Sequence, residues 1–393
     1  MSDWKNIRLG DIIKTNQSMY SPKENWKFVN YLDTGNITEN RVKEIQCFNT
    51  DIDKLPSRAK RKVKLGSIIY STVRPNQLHY GIIKDQLDNF LVSTGFVVID
   101  VNTNEAIPEY IYYVLSQKEI IEHLQAIAEQ SVSAYPSIKA SDIENLNILI
   151  PDIYTQQEVV SIISVLDEKI TLNEAINNNL EQQAQAIFKT EFLSLKALPN
   201  GWRQASLIDI ADYLNGLAMQ KYRPLDDEIG IPVLKIKELR QGCCDNNSEL
   251  CSPNIKNEYI IHDGDVIFSW SGSLLVDFWC GGICGLNQHL FKVTSSKYDK
   301  WFYYAWTKHY LDQFIYIATD KATTMGHIKR DELAKAEVFI PHEADYRRIG
   351  ALLQPIYDLI ISNRIENKKL ALLRDTILPK LISGKLDPSD IVI

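Results

Sequence analysis

The most regular hydrophobic pattern of the chain is helical and occurs twice, at residues 154–192 and again at 343–382. In both stretches apolar residues recur at alternating steps of four and three, which is the spacing of a coiled-coil seam. Two seam positions in each stretch carry asparagine instead of an apolar residue: Asn173, Asn177, Asn363 and Asn367. Polar seam residues cost stability but fix the register and the partner. We therefore expect an antiparallel helix pair in which the asparagines meet near the middle and set the register.

Outside the long helices the apolar residues follow shorter, mixed patterns. Runs such as "SIIYSTV", "GFVVIDV" and "DVIFSW" are rich in β-branched and aromatic residues and predict strands, whereas "PEYIYYVLSQKEIIEHLQAIA" has helical spacing. Pro151 and Pro341 each close a strand-like run just before a long helix. The pattern predicts the α+β class: two similar mixed α/β domains separated by two long helices that form an antiparallel coiled coil.

An internal repeat supports this plan. "DWKNIRLGDII" near the start corresponds to "GWRQASLIDIA", "LGSIIYS" to "DGDVIFS", and "SIKASDIENLNILIP" to "HIKRDELAKAEVFIP". The segment "LPNGW" joins the copies. The repeat predicts a pseudo-twofold arrangement with these boundaries: a first domain at 1–150, a central helix at 151–197, a second domain at 198–340 and a C-terminal helix at 341–393.

Composition narrows the class of protein. The 393 residues have the apolar and charged fractions of a soluble globular protein, with no apolar run long enough to span a membrane and no signal-peptide pattern, so we expect a cytoplasmic protein. Five of six cysteines lie in the second half, where "CGGIC" resembles half of a zinc site. The paired spacing of a zinc site is missing, so we expect free thiols and no metal.

The net charge of −7 excludes a uniformly basic nucleic-acid binder but not a local basic surface. The run "KLPSRAKRKVK" at 54–64 has six bases and no acid, and it leads into "LGSIIYSTVRPNQLHYG". Arginine, asparagine and glutamine suit base edges, and lysine suits phosphates; a solvated surface loop is the alternative. The candidate DNA contacts of the first domain are Arg58, Lys60, Arg61, Lys62, Ser71, Arg74, Asn76, Gln77, His79 and Lys139.

The second domain is less basic at the corresponding place. Its polar segments "SWSGSL", "NQHLF" and "DKATTMGHIKR" are candidates for the equivalent surface, although glycine-containing polar loops are common without any such function. The candidate DNA contacts there are Ser269, Ser271, Lys321, Thr323, Thr324, His327 and Lys329.

Catalytic motifs are missing from the sequence. It contains no phosphate-binding G-x-x-x-x-G-K-[ST], no G-x-G-x-x-G after a strand, no G-x-S-x-G and no Asn-Pro-Pro-aromatic tetrapeptide. Two similar readers separated by helices of roughly 57 Å suit a bipartite target on DNA. We expect a DNA reader that is not itself an enzyme; the alternative is a coiled-coil scaffold that binds no nucleic acid.

The whole chain resembles the specificity subunits of type I restriction–modification systems. The resemblance rests on "SRAKRKVKLGSIIYSTVRP", "MGHIKRDEL", the spacer "ILIPDIYTQQEVVSIISVLDEKITLNEAINNNLEQQAQAIFKTEF" and the ending "LLRDTILPKLISGKLD". It implies two target recognition domains that each read half of a split double-stranded DNA sequence. It also implies docking of two modification (methyltransferase) subunits, which use S-adenosylmethionine, and of restriction subunits, which use ATP and Mg. No cofactor is then expected on this chain.

Overall fold

The computed structural model describes residues 4–131, 135–320 and 328–391, which fall into two compact units. The first unit comprises residues 1–167 and 373–393, and the second comprises 168–372. Each unit therefore includes a globular part together with segments of both long helices. The boundaries expected from the sequence instead separate globular parts from helices.

In the first unit, two four-stranded sheets share one apolar layer. Residues of both sheets, among them Leu32, Ile69, Phe90 and Phe96, form a single buried cluster. The strands are β1 (Lys5–Arg8), β2 (Ile13–Thr15), β3 (Phe28–Leu32), β4 (Ile37–Thr38), β5 (Arg41–Val42), β6 (Gln46–Asn49), β7 (Ala59–Lys62), β8 (Ile68–Ser71), β9 (Tyr80–Ile82), β10 (Phe90–Ser93), β11 (Phe96–Val101) and β12 (Asn147–Ile150). The helices are α1 (Pro108–Leu115), α2 (Lys118–Glu129), α3 (Ala140–Glu144) and the start of α4 (Ile153–Phe188).

The strand order of these sheets is β2-β11-β8-β9 and β6-β3-β10-β7, and β1 pairs with β12. Only the β3–β10 neighbours of the second sheet are parallel; β3–β6 and β10–β7 are antiparallel. A second buried cluster lies where α1, α2 and α3 meet the long helices, and includes Tyr110, Val159, Ile163, Leu378 and Leu381. The helix pair is thus part of the core of this unit.

The second unit repeats this topology. Its strands are β13 (Arg203–Ser206), β14 (Asp212–Asn215), β15 (Ile231–Leu234), β16 (Leu250–Cys251), β17 (Ile260–Ile261), β18 (Val266–Ser269), β19 (Leu275–Phe278), β20 (Cys284–Leu286), β21 (Leu290–Thr294) and β22 (Glu337–Ile340). They form the sheets β14-β21-β18-β19 and β16-β15-β20-β17 and the pair β13-β22. The helices are α5 (Leu207–Ile210), α6 (Ile236–Gln241), α7 (Lys300–His309), α8 (Leu311–Asp320), α9 (Arg330–Lys335) and α10 (Glu343–Ile382).

The predicted repeat is visible in single residues. Gly66 and Gly264 precede the corresponding strands β8 and β18, and both have a positive φ, +79° and +85°. Only glycine adopts this conformation at no steric cost. The predicted fold class is confirmed, since each unit is a mixed α/β domain attached to a long helix pair.

The long helices begin and end close to the predicted positions. Helix α10 spans Glu343–Ile382 as expected, and α4 is followed by a π-helical turn, Lys189–Leu193, that extends it. Each helix then meets the tryptophan that opens a globular part of the same unit. The rings of Phe192 and Trp202 lie 5.6 Å apart, and a Cβ on Gly384 would lie 2.8 Å from Cε2 of Trp4.

Candidate nucleic-acid interface

The loop that follows β8 in the first unit is held in place by hydrogen bonds of residues at the end of that strand. The Ser71 side chain is buried, and its hydroxyl donates to the Val73 carbonyl at 3.1 Å while accepting from the Val73 N–H at 3.2 Å. The Thr72 N–H donates to the Gly95 carbonyl at 2.8 Å. The base of the loop is therefore fixed by backbone hydrogen bonds.

The next residues adopt an unusual backbone conformation. Arg74 and Leu78 have positive φ values of 48° and 59° and flank a short 3₁₀ turn, Pro75–Gln77. A positive φ on a residue other than glycine is unfavourable and persists only where the surroundings enforce it, often at functional sites. The turn exposes Arg74, Asn76 and Gln77 to solvent.

A second segment completes the loop. The Arg74 N–H donates to the Pro136 carbonyl at 3.0 Å, and the guanidinium lies 5.5 Å from the ring centroid of Tyr135. The Asn76 N–H donates to Oε1 of Gln125 at 3.2 Å. Tyr135 is 62% exposed, so this surface presents an aromatic ring beside a cation and two carboxamides. Such a set can stack on bases and read their edges.

The same hydrogen bond between this loop and a later segment occurs in both units. The Ile138 N–H donates to the Thr72 carbonyl at 2.8 Å, and the Ile328 N–H donates to the Trp270 carbonyl at 3.0 Å. Both isoleucines are buried, and each is followed by an exposed lysine, Lys139 or Lys329. The repeated "IK" motif of the sequence therefore anchors a segment beside the loop and leaves a cation next to it.

Part of the basic run lies at the same rim of the first unit. The Arg58 carbonyl accepts from the Thr94 N–H at 2.9 Å, and the adjacent Gly95 carbonyl accepts from Thr72. Arg58 and Arg74 are thus connected through the short turn between β10 and β11. Arg58 and Lys60 are both exposed and remain candidate DNA contacts.

Other residues of the basic run face the protein, which corrects the expectation from the sequence. The Arg61 guanidinium donates to Oδ1 of Asn16 and to the Phe96 carbonyl, and burial lowers the pKa of this group. Lys62 forms an ion pair with Glu24 and lies 5.0 Å from the ring centroid of Trp26. Arg61 is therefore structural, and Lys62 already has partners within the unit.

Three hydroxyls and one imidazole proposed as contacts are also engaged internally. The buried Ser269 hydroxyl donates to the carbonyls of Ser273 at 2.9 Å and Ser271 at 3.2 Å, which repeats the role of Ser71. The buried Ser271 hydroxyl lies 3.1 Å from Nδ1 of His289. Nδ1 of His79 donates to the Ile37 carbonyl at 2.6 Å. These four side chains support loops and do not present free donors to a ligand.

In the second unit the corresponding loop presents Trp270 and Ser273. The Trp270 Nε1–H donates to Oδ1 of Asn215 at 3.0 Å, and its ring lies 5.6 Å from that of Phe291. Ser273 is exposed and borders a cleft lined by one face of α6. The other predicted contacts of this unit, Lys321, Thr323, Thr324 and His327, lie outside the described residues.

Helix α6 also belongs to this surface, although it was not predicted from the sequence. Lys237, Arg240 and Gln241 share one exposed face, while Glu238 and Leu239 are buried on the other. Their spacing of three and four residues in "IKELRQG" is the helical signal that could have found them.

The helix seam of the second unit contains the four predicted asparagines. Nδ2 of Asn173 donates to Oδ1 of Asn367 at 2.8 Å, and Nδ2 of Asn363 donates to Oδ1 of Asn177 at 2.9 Å. The other two amides donate to main-chain carbonyls, Asn177 to Ile360 at 3.3 Å and Asn367 to Ile170 at 3.2 Å. The predicted proximity and antiparallel direction are confirmed, and each bond recurs with the two helices exchanged.

Charged pairs add to the helix contacts inside each unit. In the first unit, Arg374 of α10 bonds Asp167 at 2.9 Å, and Asp167 also accepts from the Tyr113 hydroxyl at 2.9 Å. In the second unit, Arg364 bonds Asp277 at 2.7 Å and Glu181 at 2.8 Å. These pairs tie the seam to the globular part of the same unit.

The remaining expectations concern thiols, metals and membranes. All six cysteines are free thiols, and burial raises the pKa of Cys251 and Cys280 to about 11. Among the described residues no cluster of histidine, cysteine and carboxylate side chains could hold a metal ion. In the same part of the chain, no helix is long and apolar enough to cross a membrane.

Comparison with known proteins identifies relatives over almost the whole chain. Residues 1–182 and 199–372 match the family model of the type I restriction modification DNA specificity domain. The specificity subunit of the type I restriction enzyme HindI from Haemophilus influenzae is 25% identical, covering 98% of this chain and 100% of its own length. That of MjaIX from Methanocaldococcus jannaschii is 26% identical, covering 93% of this chain and 86% of its own.

A solved structure shares the fold. The crystal structure of a type I restriction–modification S subunit from M. genitalium is 14% identical, with a TM-score of 0.59, and the match covers 97% of this chain and 96% of that one.

Proposed function

This chain belongs to the family of type I restriction–modification DNA specificity domains, and from that premise we propose how it works as a DNA-sequence-recognition subunit. It reads a bipartite target in double-stranded DNA, one half-site per unit, and docks the methyltransferase and restriction subunits of the complex. The long helices set the gap between the half-sites. The chain itself carries out no chemistry.

The observation that carries this proposal is the hydrogen bond between the loop and the "IK" segment, which occurs in both units. In each unit, a buried serine at the end of a strand supports a loop, and a following isoleucine N–H bonds the loop carbonyl. The loop of the first unit presents Arg74, Asn76 and Gln77, whose side chains match the hydrogen-bonding edges of base pairs. Two such loops on two units give two readers, as a split target requires.

The partners supply what this chain lacks. Two modification subunits would use S-adenosylmethionine to methylate adenine in the target, and restriction subunits would use ATP and Mg. We propose that none of these cofactors binds this chain and that it acts in the cytoplasm, where it meets chromosomal DNA. The exposed sides of α4 and α10, which carry apolar residues such as Val165, Leu172 and Leu359, are the surface we assign to subunit docking.

The decisive experiment is single-molecule sequencing of DNA from cells that express this chain with its modification subunits. We expect N6-methyladenine at one bipartite motif with a fixed gap, and its loss when this chain is deleted. A purified complex should also bind DNA less tightly as salt rises. Methylation without a bipartite motif, or binding that ignores salt, would instead support a scaffold that does not read DNA.

A further inference from the structure

We propose that helix α6 is a specificity-determining element of the second unit, with Arg240 and Gln241 facing base edges of the second half-site. The inference rests on the proposed function and adds residues that neither the family match nor the sequence repeat assigns. It follows from the cleft beside α6, from the partners of its side chains and from a difference between the two units.

The cleft joins α6 to the loop that corresponds to the reading loop of the first unit. It has a volume of about 450 Å³ and is lined by Ile236, Lys237, Arg240, Gln241 and Ser273. The loop packs directly on the helix, since a Cβ on Gly272 would lie 3.7 Å from Cδ1 of Ile236. Side chains of α6 and of the loop therefore meet any ligand in this cleft together.

The exposed side chains of α6 differ in how far they are already engaged. Lys237 forms an ion pair with Asp245 at 3.1 Å, and this pair raises the pKa of Lys237. The buried Glu238 carboxylate accepts from the Lys235 N–H and from the Ser248 hydroxyl, both at 3.3 Å. Arg240 forms no hydrogen bond or ion pair with any described residue. It is therefore the available cation of the helix.

The two units place their positive charge on different elements around corresponding loops. Strand β3 of the first unit and β15 of the second are equivalent. Strand β3 pairs in parallel with β10, and β15 pairs in parallel with β20. After β3 the chain reads "DTGN", with one acid and no base, and after β15 it reads "KIKELRQ", with three bases and one acid.

The opposite holds for the strand before each loop-bearing strand. The first unit has "AKRK" in β7, and the second has "II" in β17. The exposed cations that the first unit carries in β7 and just before it, Lys60 and Arg58, therefore have their counterpart in the second unit on α6.

The chemistry of the cleft indicates base edges in the major groove. A guanidinium can donate two hydrogen bonds to O6 and N7 of guanine, and a glutamine carboxamide can do the same for adenine with one donor and one acceptor. Residues 240 and 241 are consecutive at the end of α6, and Ser273 lines the same cleft. An exposed helix end with this set fits the groove of a duplex.

The test uses the intact chain in complex with its modification subunits and a plasmid library in which both half-sites are randomised. The variants are Arg240→Ala, Arg240→Lys and Gln241→Ala. The control is Lys297→Ala, which removes an exposed cation three residues after the C-terminal end of β21. Methylated motifs are read by single-molecule sequencing, and binding is measured on duplexes altered at each position of either half-site.

We expect Arg240→Ala to lower discrimination at one base pair of the second half-site by roughly ten- to a hundredfold, and Gln241→Ala to act on a neighbouring one. Arg240→Lys should retain most affinity but lose much of the discrimination, because the lysine ammonium lacks the rigid planar fork with which a guanidinium matches O6 and N7 of guanine. The Arg240 and Gln241 variants should leave the first half-site unchanged. The control Lys297→Ala should leave the whole methylated motif unchanged. An unchanged second half-site in the Arg240 and Gln241 variants would overturn the inference.

A uniform loss of affinity in Arg240→Ala that Arg240→Lys restores would also overturn it, since Arg240 would then contact a phosphate. Failure of the proposed function looks different. In that case the unaltered complex would yield no bipartite motif, whereas failure of the present inference leaves the wild-type motif intact.

Discussion

Ser71 and Ser269 act on the reading loops from beneath, without being available to a ligand. Each side chain is buried at the end of a strand, and each hydroxyl donates to a carbonyl two residues further along the chain. Exposed side chains of the loop are thereby placed by groups that never reach the surface.

Replacing Ser269 by alanine should therefore reduce stability and blur the reading of one half-site. The substitution leaves the carbonyls of Ser271 and Ser273 without this donor, at a cost of about 1–3 kcal/mol. The midpoint of urea unfolding measures the first effect, and the methylated motif measures the second. Ser296→Ala, at an exposed position of the same unit, should change stability by less than about 0.5 kcal/mol. Equal behaviour of the two variants would contradict the supporting role.

The basic run should separate into surface and structural residues. Lys60→Ala should weaken binding to every DNA sequence and reduce the salt slope by about 0.9 for each phosphate that is no longer neutralised. Arg61→Ala should instead lower the unfolding midpoint, because the Phe96 carbonyl and the Asn16 side chain lose their donor. Salt titrations of binding together with urea unfolding distinguish the two. The assignment fails if Arg61→Ala alters only the salt slope.

The sequence could show that this run is basic but not which way each side chain points. Side chains alternate between the two faces of a strand. Arg61 shares its face with the buried Ala59, whereas Lys60 faces solvent. The run was interpreted as a DNA-contacting surface, with a solvated loop as the alternative, and no strand was predicted there, so the alternation could not be applied. The sequence also could not show that Ser71, Ser269 and Ser271 are buried and hydrogen-bonded, because a polar residue near a loop is not necessarily exposed.

At the scale of elements, the helix seam was the most predictable feature. Its period is sustained over more than thirty residues, and Asn173, Asn177, Asn363 and Asn367 recur at the same two places. A window of that length outweighs local propensities. Helix α6 has six residues, so the spacing of Lys237, Arg240 and Gln241 covers a single turn and is a much weaker signal than the seam.

The amide network makes single and combined substitutions differ in sign. Asn177→Leu alone leaves the Asn363 amide without its acceptor and the Ile360 carbonyl without its donor. It should cost about 1–3 kcal/mol. Leucine at all four positions should raise the urea midpoint and loosen the register. The register is measured by the gap of the methylated motif, which should become heterogeneous in the fourfold variant.

If the fourfold variant keeps a single gap, the asparagines do not set the register. Asn178→Leu and Asn179→Leu are matched controls, because both residues are exposed on α4. Neither substitution is expected to alter the gap.

At the scale of the molecule, two units of the same topology predict separable specificity. Replacing residues 1–150 by the equivalent segment of another family member should change one half of the methylated motif and leave the other half and the gap unchanged. The replacement keeps β1 and β12 together. It must also fit Val159, Ile163, Leu378 and Leu381 of the helices, which belong to the same buried cluster. A swap that changes both halves would show that the two sites are one composite surface.

The repeat and its spacer could be predicted at this scale because duplication leaves a trace in the order of motifs. The strand pairing could not, because the parallel contacts β3–β10 and β15–β20 join segments far apart in the sequence. The assignment of each globular part to particular helix segments also depends on packing that no local pattern reveals.

Trp4 lies against Gly384, so in the first unit the segment after α10 meets the first described residue of the globular part. Trp202 follows the end of α4 as Trp4 would follow the end of α10, with the rings of Phe192 and Trp202 5.6 Å apart in the one case and the Gly384 Cβ position 2.8 Å from Trp4 in the other. Residues 193–201 close the first of these junctions covalently. A gene rewritten to join residue 391 to residue 4 through a short linker, and cut near residue 199, should therefore encode a protein that methylates the same motif. The order in which the two recognition parts follow each other along the chain would then have no effect on the motif that is methylated.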